Sequence, residues 1–314
     1  MRVPKVCIIV LNWNGKELLK DCLSSLFKLT DYPNYKVIVV DNGSTDGSVE
    51  YVKKNFPKAD VLALDKNYGF SKGNNIGIKY ALKKYRPKYI LLLNNDTRII
   101  QKDWLTKLVE IAESDEKIGI VGCNLIFPDG SLQHDGVKSL HNIIFPNYVE
   151  RKPYKTYDKT LGYVIATNGA CFLIRSEIIE RYQIFYDEMF SPASYEDIDL
   201  FLRARKKGLK ILHRYDVKII HKASITWKRQ ANDFRFWLIS RNYSFVLLKH
   251  FKKYILLGIS LRLLTCIFYK SDENSPNPRN IKVRPGFYKK IFILIKAFLD
   301  ATKTYYLYKN TIEL

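Results

Sequence analysis

The residues best able to do chemistry in this chain stand where apolar runs stop. Asp96 closes Tyr89-Ile90-Leu91-Leu92-Leu93-Asn94-Asn95-Asp96, an apolar stretch that ends abruptly at two amides and a carboxylate. Asn12 follows the run 6–11. Asp41 heads the cluster Asp41-Asn42-Gly43-Ser44-Thr45-Asp46-Gly47-Ser48 after the run 37–40. Asn67 comes just after 61–64, and His221 ends 217–221. Carboxylates and amides gathered in this way suit a hard divalent cation shared with phosphate oxygens, and so a metal-assisted nucleotide site. Each position alone also has a plainer reading. Asn94, Asn95 and Asp96 are good turn formers, and a lone histidine at a strand end is ordinarily a surface or hydrogen-bonded residue. The repetition is what favours a site.

A second acidic group lies at Tyr195-Glu196-Asp197-Ile198-Asp199-Leu200. Residues 195–208 read as a helix. Ile198, Phe201, Leu202 and the stem of Arg205 recur at i, i+3, i+4 and i+7, acids fill the first turn, bases fill the last, and a glycine follows. The acids could simply complement the helix dipole. Consecutive helical residues point about 100° apart, so Glu196 and Asp197 cannot share one task, and at most one faces a substrate.

The elements that must position these groups alternate. Short apolar runs bounded by turn formers read as strands buried on both faces of a parallel sheet. Helical spacing follows each: Leu18 to Leu26, a segment ending near Asn55 capped by Asp46 or Ser44, a segment through Ile76, Tyr80 and Leu82 after a loop over 67–75, and 102–112. The first 115 or so residues thus read β-α-β-α-β-α-β-α, a doubly wound sheet, and ligands bind outside the carboxyl ends of such strands. No G-x-G-x-x-G follows the first strand and there is no G-x-x-x-x-G-K-[ST], so ordinary dinucleotide and P-loop sites lose support. Beyond, 118–123 reads as a strand, 127–136 as a hairpin and 141–159 as a long mobile loop. Residues 163–175 read as a strand or bent pair around Asn168-Gly169-Ala170, Ser176 as the cap of a short helix, and 209–212 and 217–221 as two strands.

The chain has 314 residues, 47% of them apolar, which is enough for a sizeable core. Its net charge is +21, which calls for an anionic partner. Residues 228–314 hold 17 Lys/Arg against 5 Asp/Glu, so this tail carries +12 of the total. Within it, 233–250 and 287–309 read as helices that mix lysines with Phe, Ile, Leu and Tyr. That composition suits a helix lying in an anionic membrane interface, or an αα-hairpin with solvated lysines. The apolar run 254–268 is too short to span a bilayer. The run 6–11 is too short for the core of a signal peptide. Five scattered cysteines without a C-x-x-C argue against disulfides and zinc, and for reduced thiols in a cytosolic setting.

Taken together, 6–14, 41–47, Asn67-Tyr68-Gly69-Phe70 with Gly73-Asn74-Asn75, Asn94-Asn95-Asp96, Asn168-Gly169-Ala170 and 195–200 match in order and spacing, and the first 225 or so residues resemble an inverting family 2 glycosyltransferase of GT-A fold. The flavour is similar to the rhamnosyltransferase-like branch that builds cell-surface polysaccharides and lipid-linked glycans. The resemblance implies a GT-A catalytic domain over 1–227 and a basic helical region over 228–314. It implies that Asp197 is the general base and that Glu196 orients it or the acceptor. Asp41 would bond the nucleotide base, and Asn67, Gly69 and Asn74 would shape the ribose and donor-sugar site, with Asn12, Asn95 and Gly169 also in the nucleotide-sugar set. Asp96, with His221, would hold Mg²⁺ or Mn²⁺ on the diphosphate. The implied partners are a UDP-, dTDP- or GDP-sugar, a glycan or polyprenyl-linked acceptor and an anionic membrane surface, with the enzyme peripheral on the cytoplasmic face and no nucleic acid bound.

The chain departs from that pattern in places. Asn94 occupies the first position of the D-x-D-type motif, and 189–194 lacks the aromatic run common in this branch. No Q-x-x-R-W stands near Trp227-Lys228-Arg229-Gln230, which argues for single-sugar transfer rather than processive synthesis. Two other classes answer to the charge: a nucleic-acid-binding protein, which leaves the acidic rim unexplained, and a catalytically silent membrane adaptor on the same fold.

Overall fold

Strands β1 (Val6–Asn12), β2 (Tyr35–Asp41), β3 (Asp60–Ala63) and β4 (Tyr89–Asn94) run parallel in the order β3-β2-β1-β4. In this computed structural model the described residues are 3–144, 160–222, 232–260 and 287–312. The order continues β9-β6-β10-β5, with β9 (Cys171–Arg175) antiparallel to both β4 and β6 (Ile118–Ile126). β10 (Lys210–His221) is parallel to β6 and antiparallel to β5 (Thr97–Ile99). β7 (Leu132–His134) pairs with β6, and β8 (Leu161–Tyr163) with β10.

Both faces of the sheet are covered, which is why its strands read as unbroken apolar runs. One face buries Val6, Ile8 and Leu91 against α1 (Lys16–Lys28) and α4 (Trp104–Ser114), through Leu19, Leu23, Trp104 and Leu105. The other buries Ile9, Ile90, Phe172 and Ile174 against α3 (Gly69–Tyr85), α6 (Ser176–Tyr182) and α7 (Glu196–Lys206). Each fully buried Leu, Ile or Phe contributes about 1.5–3 kcal/mol, so this double layer fixes the sheet. Register does the positioning. β1 pairs with Asn12 opposite Asp41 and Leu11 opposite Asn94, so the polar residues that close three strands lie side by side.

Several elements differ from the sequence reading. The loop expected over 67–75 is helical from Gly69 onward. Gly, Ser and Asn are poor helix formers, but here tertiary packing wins. A Cβ on Gly73 would stand 2.7 Å from Leu11 Cδ1, and one on Gly77 would stand 2.6 Å from Val40 Cγ2, so the small residues let α3 lie close on the sheet. The two strands expected over 209–221 are one strand, β10, with a register shift between Arg214 and Lys218. Arg214 closes that irregularity through Asp216 (Nε to Oδ1, 2.6 Å). Ser176 lies inside α6 rather than capping it. At α2 (Ser48–Asn55) the N-cap is Gly47 rather than Asp46 or Ser44, and Asp46, one residue before it, accepts the Ser48 N–H at 3.1 Å through Oδ1. In α7, Arg205 is exposed, and Glu196 and Asp199 turn inward with Leu200 and Ala204. Of the loop expected over 141–159, residues 145–159 fall outside the described residues, and His141–Ile144 forms a short helix, α5.

The chain divides into two compact units, Met1–Leu140 with Tyr148–Ile225, and His141–Asn147 with Thr226–Leu314. The second contains α5, α8 (Asn232–His250) and α9 (Phe287–Ile312). In it, Trp237 Nε1 donates to Asp300 Oδ2 at 3.1 Å. The second half of the expected apolar run 254–268 lies outside the described residues, as does the polar loop expected over 271–280. Among the described residues no helix is long and apolar enough to cross a membrane. Cys7, Cys22, Cys123 and Cys171 are free and buried, and burial pushes the Cys22 thiol up to about 12. Cys266 lies outside the described residues.

Candidate active site

The rim of the sheet is a hydrogen-bonded floor. Asn12 Nδ2 donates to Asp41 Oδ2 (3.0 Å) and to Ser44 Oγ (3.3 Å), while its Oδ1 accepts from Asn95 Nδ2 (2.8 Å). Asp41 Oδ1 accepts the Ser44 N–H at 2.8 Å. Asn12 and Asp41 are buried. Asp41 has both oxygens engaged by protein and anchors the 41–48 turn.

Asn42 carries the next layer. Its Nδ2 donates to Asn67 Oδ1 (2.9 Å) and the Gly69 carbonyl (3.1 Å), and its Oδ1 accepts the Tyr68 N–H (2.9 Å). Gly69 has φ +80, a conformation that L side chains rarely adopt, and a Cβ there would stand 2.9 Å from Ser191 Oγ. The Phe70 N–H donates to the Pro192 carbonyl at 2.9 Å. The 67–70 turn is thus held from one side by Asn42 and touches 191–192 on the other. Asn74 is buried in α3 and its Nδ2 donates to the Phe70 carbonyl at 3.0 Å, at the start of that helix.

Asp96 and His221 meet. His221 Nε2 lies 3.1 Å from Asp96 Oδ1, and His221 Nδ1 lies 2.6 Å from Gln133 Oε1. The Gln133 amide nitrogen faces the His221 carbonyl at 3.5 Å, which directs its oxygen to Nδ1. In the tautomer that donates from Nδ1 to Gln133, the Nε2 lone pair points at a carboxylate oxygen. Two acceptors that close call for a proton or a cation between them, and a neutral imidazole with a carboxylate is a fitting donor pair for a divalent metal. Among the described residues no three His, Cys, Asp or Glu side chains gather around one point, so further ligands would be phosphate oxygens and water.

Three acids at the start of α7 have three different surroundings. Asp199 is fully buried and accepts from Arg203 Nε at 2.7 Å. Asp197 is partly exposed, with Oδ1 accepting the Ile198 N–H at 2.8 Å, and it accepts a further hydrogen bond from the Gly169 N–H. A Cβ on Gly169 would come within 2.5 Å of Asp197 Oδ2, so this position has no room for a side chain. Among the described residues no Lys or Arg pairs with Asp197. Burial holds its carboxyl above the usual carboxylate range, against the pull of those backbone donors. Glu196 is buried and pushed further up, first by burial and then by the charge of Asp197. Its Oε2 has no hydrogen-bond partner among the described residues, and neither has the buried Tyr186 hydroxyl, whose titration burial, Asp197 and Glu196 together push up. Asn75 holds the Tyr186 backbone, accepting its N–H and donating to its carbonyl, each at 2.9 Å.

The profile of the family described as Glycosyl transferase family 2 matches residues 7–183, more than half of the chain. The chain belongs to glycosyltransferase family 2. Its relatives include the O-antigen biosynthesis protein RfbC of Myxococcus xanthus, 30% identical over 236 residues, or 73% of this chain and 18% of that protein. The chain therefore spans under a fifth of that relative's length. The rhamnosyltransferase WbbL of Escherichia coli K12 is 27% identical over 240 residues, covering 69% of this chain and 83% of WbbL. Among solved structures, a mannosyltransferase of Pyrobaculum calidifontis in complex with GDP-Man and Mn²⁺ superposes with a TM-score of 0.55 at 17% identity, over 97% of this chain and 74% of that one. The fold of this family 2 chain is GT-A.

The structure brings the expected residues of this family 2 chain together in groups: Asn12 with Asp41 and Asn95, Asn67 with Gly69, Asp96 with His221, and Asp197 with Gly169. Asn42, Gln133, Asn75 and Tyr186 were missed by sequence reasoning. Asn42 adjoins Asp41 and was readable as part of the same cluster. Gln133 sits in a three-residue strand, and nothing in the sequence points it at His221.

Proposed function

We propose that this chain transfers one sugar from a nucleoside-diphosphate sugar to a hydroxyl of a glycan or lipid-linked glycan, with inversion, in the synthesis of a cell-surface polysaccharide or glycoconjugate. Family membership supports glycosyl transfer. The names of RfbC and WbbL support a surface-glycan context and a hexosyl or deoxyhexosyl donor. One observation carries the mechanism. Of three acids within four residues, Asp197 alone is partly exposed, without a cationic partner among the described residues, and held above the usual carboxylate range. These are the properties of a general base.

Asp197 takes the proton of the acceptor hydroxyl as that oxygen attacks the anomeric carbon. The bond from that carbon to the diphosphate oxygen breaks on the opposite face, and the donor leaves as a nucleoside diphosphate. Gly169, having no side chain, leaves the space that the base occupies and donates its N–H to it. Burial and the charge of Asp197 push Glu196 toward its protonated form, which adds no second negative charge beside Asp197. Asn95 and the 67–70 turn line the donor side, while Asn12, Asp41 and Asn42 hold that lining in register. Asp96 and His221 would hold Mg²⁺ or Mn²⁺, which when bound offsets the charge gathering on the leaving diphosphate. That GDP-Man and Mn²⁺ occur together in a structure of the same fold is consistent with this assignment. A lipid-linked acceptor would place the enzyme on the cytoplasmic face of a membrane.

The test is calorimetric titration with UDP, GDP and dTDP, in Mn²⁺ and in EDTA, on the native chain and Asp96→Ala. Metal-dependent binding of one nucleotide, weakened at least tenfold in the variant, is expected. A folded native chain that binds none of them would sink the reading.

A further inference from the structure

Helix α9 carries two apolar stripes on nearly opposite sides. Leu294, Ala297 and Ala301, at i, i+3 and i+7, are buried. At about 100° per residue, Phe292, Ile295, Leu299 and Tyr306 fall within an arc of about 60° on the far side. They are 69%, 51%, 59% and 53% exposed. One packed stripe is all that a helix needs to dock in its own unit, so the second is surplus to folding. Its composition is also unlike the first: one leucine and two alanines face the packed side, and two aromatic rings with two branched aliphatic chains face outward. Lys296 and Lys303 are exposed and follow the same edge of the outward stripe.

The geometry assigns this stripe to docking on an anionic lipid surface. Bulky apolar side chains would enter the headgroup boundary while the flanking lysines stay at the level of the phosphates, which is how an amphipathic helix lies in an interface. Charge complementarity selects lipid as the occupant: the tail of 228–314 carries +12 and the whole chain +21, a field that would oppose pairing with a second copy of itself. The inference rests on the proposed membrane-held acceptor for its purpose, but its evidence is separate from the site.

The test uses the full chain and sedimentation with vesicles of phosphatidylcholine, with and without phosphatidylglycerol. Two double variants are compared with the native protein: Phe292→Ser with Leu299→Ser, and Lys296→Glu with Lys303→Glu. All four positions are exposed, and an unchanged urea denaturation midpoint reports that each variant is folded. The native chain is expected to sediment with anionic vesicles and not with neutral ones. Charge reversal should weaken that binding about 30-fold or more, and the serine pair at least tenfold. Equal binding by the serine pair and the native chain would overturn the assignment. So would a native dimer in sedimentation equilibrium that the serine pair abolishes. Should no nucleotide bind while the vesicle results hold, the transferase reading fails and the docking surface stands.

Discussion

Gly169 is the position where a single methyl group should matter most. Its missing side chain leaves the space that Asp197 Oδ2 occupies, 2.5 Å from where a Cβ would be. Gly169→Ala is expected to lower kcat by 10²–10⁴-fold, approaching Asp197→Asn, with donor binding little changed. The pH profile supplies a second check. As the proposed base, Asp197 would work ionised, and burial raises its titration above 3.8, so kcat/KM should fall as pH drops through that raised value, with an acid limb above the ordinary aspartate range. A limb at or below 3.8 would deny Asp197 the role. Gln133 makes a different prediction. It fixes the His221 ring through Nδ1 at 2.6 Å, so Gln133→Leu should weaken Mn²⁺ binding by about 10–100-fold, read by calorimetry without any sugar nucleotide. Unchanged Mn²⁺ affinity would show that the ring needs no such support. Asp41 and Asp96 were legible because each stands at the end of an apolar run, whereas Glu196 and Asp197 were legible as the acidic first turn of a helix and took their roles from the resemblance. Gln133 was not, since its role depends on a contact 88 residues along the chain.

Helix α3 shows how element-scale reading fails and why. Gly69, Gly73, Asn74 and Asn75 argue locally against a helix, and the sequence reading began the helix only at Ile76. What overrides propensity is the sheet underneath. Gly77 permits contact with Ile9 and Val40, where a Cβ would lie 3.0 Å and 2.6 Å from their methyl groups. Gly77→Ala should therefore destabilise the fold by about 1–2 kcal/mol despite its better helix propensity, because overpacking outweighs the gain. Urea denaturation checks this, and a stabilised variant would mean that α3 can ride away from the sheet. The strands were easier to read than the helices. Runs such as 6–11 and 89–93 are apolar throughout because both faces are covered, and that pattern survives any choice of neighbours. β5 escaped notice because three residues carry no period, and β10 was split in two because Asp216 interrupts its apolar pattern.

At the scale of the molecule, acid should loosen the first unit before most carboxylates titrate. His213 is fully buried, with Nε2 at 2.9 Å from Asn124 Oδ1 and Nδ1 at 3.0 Å from Thr167 Oγ1. Burial first, and then the neighbouring His134, bring His213 down to about 3, while burial brings His134 to about 4. The unfolded chain takes up these protons near 6.5 and the folded chain does not, so the stability is complete above 6.5 and drains away as pH falls toward those values. Denaturation midpoints should drop between pH 6.5 and about 5, and His213→Gln should flatten that part of the curve. A flat native curve would mean that these rings are not held neutral. The tail was legible as basic and helical, but which side of α9 stays outward depends on a partner helix that no periodicity names. The family profile ends at residue 183, whereas Asp197 and His221 lie beyond it. β10 has a consequence in time as well as in space. Among the described strands β5 pairs with β10 alone, and Asp96 stands directly before β5, its carbonyl accepting the Lys222 N–H at 2.9 Å. As the ribosome extrudes the chain, Asp96 emerges long before the strand that fixes it. A nascent polypeptide would carry the Asn12–Asp41–Asn95 floor before the pair Asp96–His221 could form, so on the proposed function the capacity to hold a diphosphate would arrive only with β10.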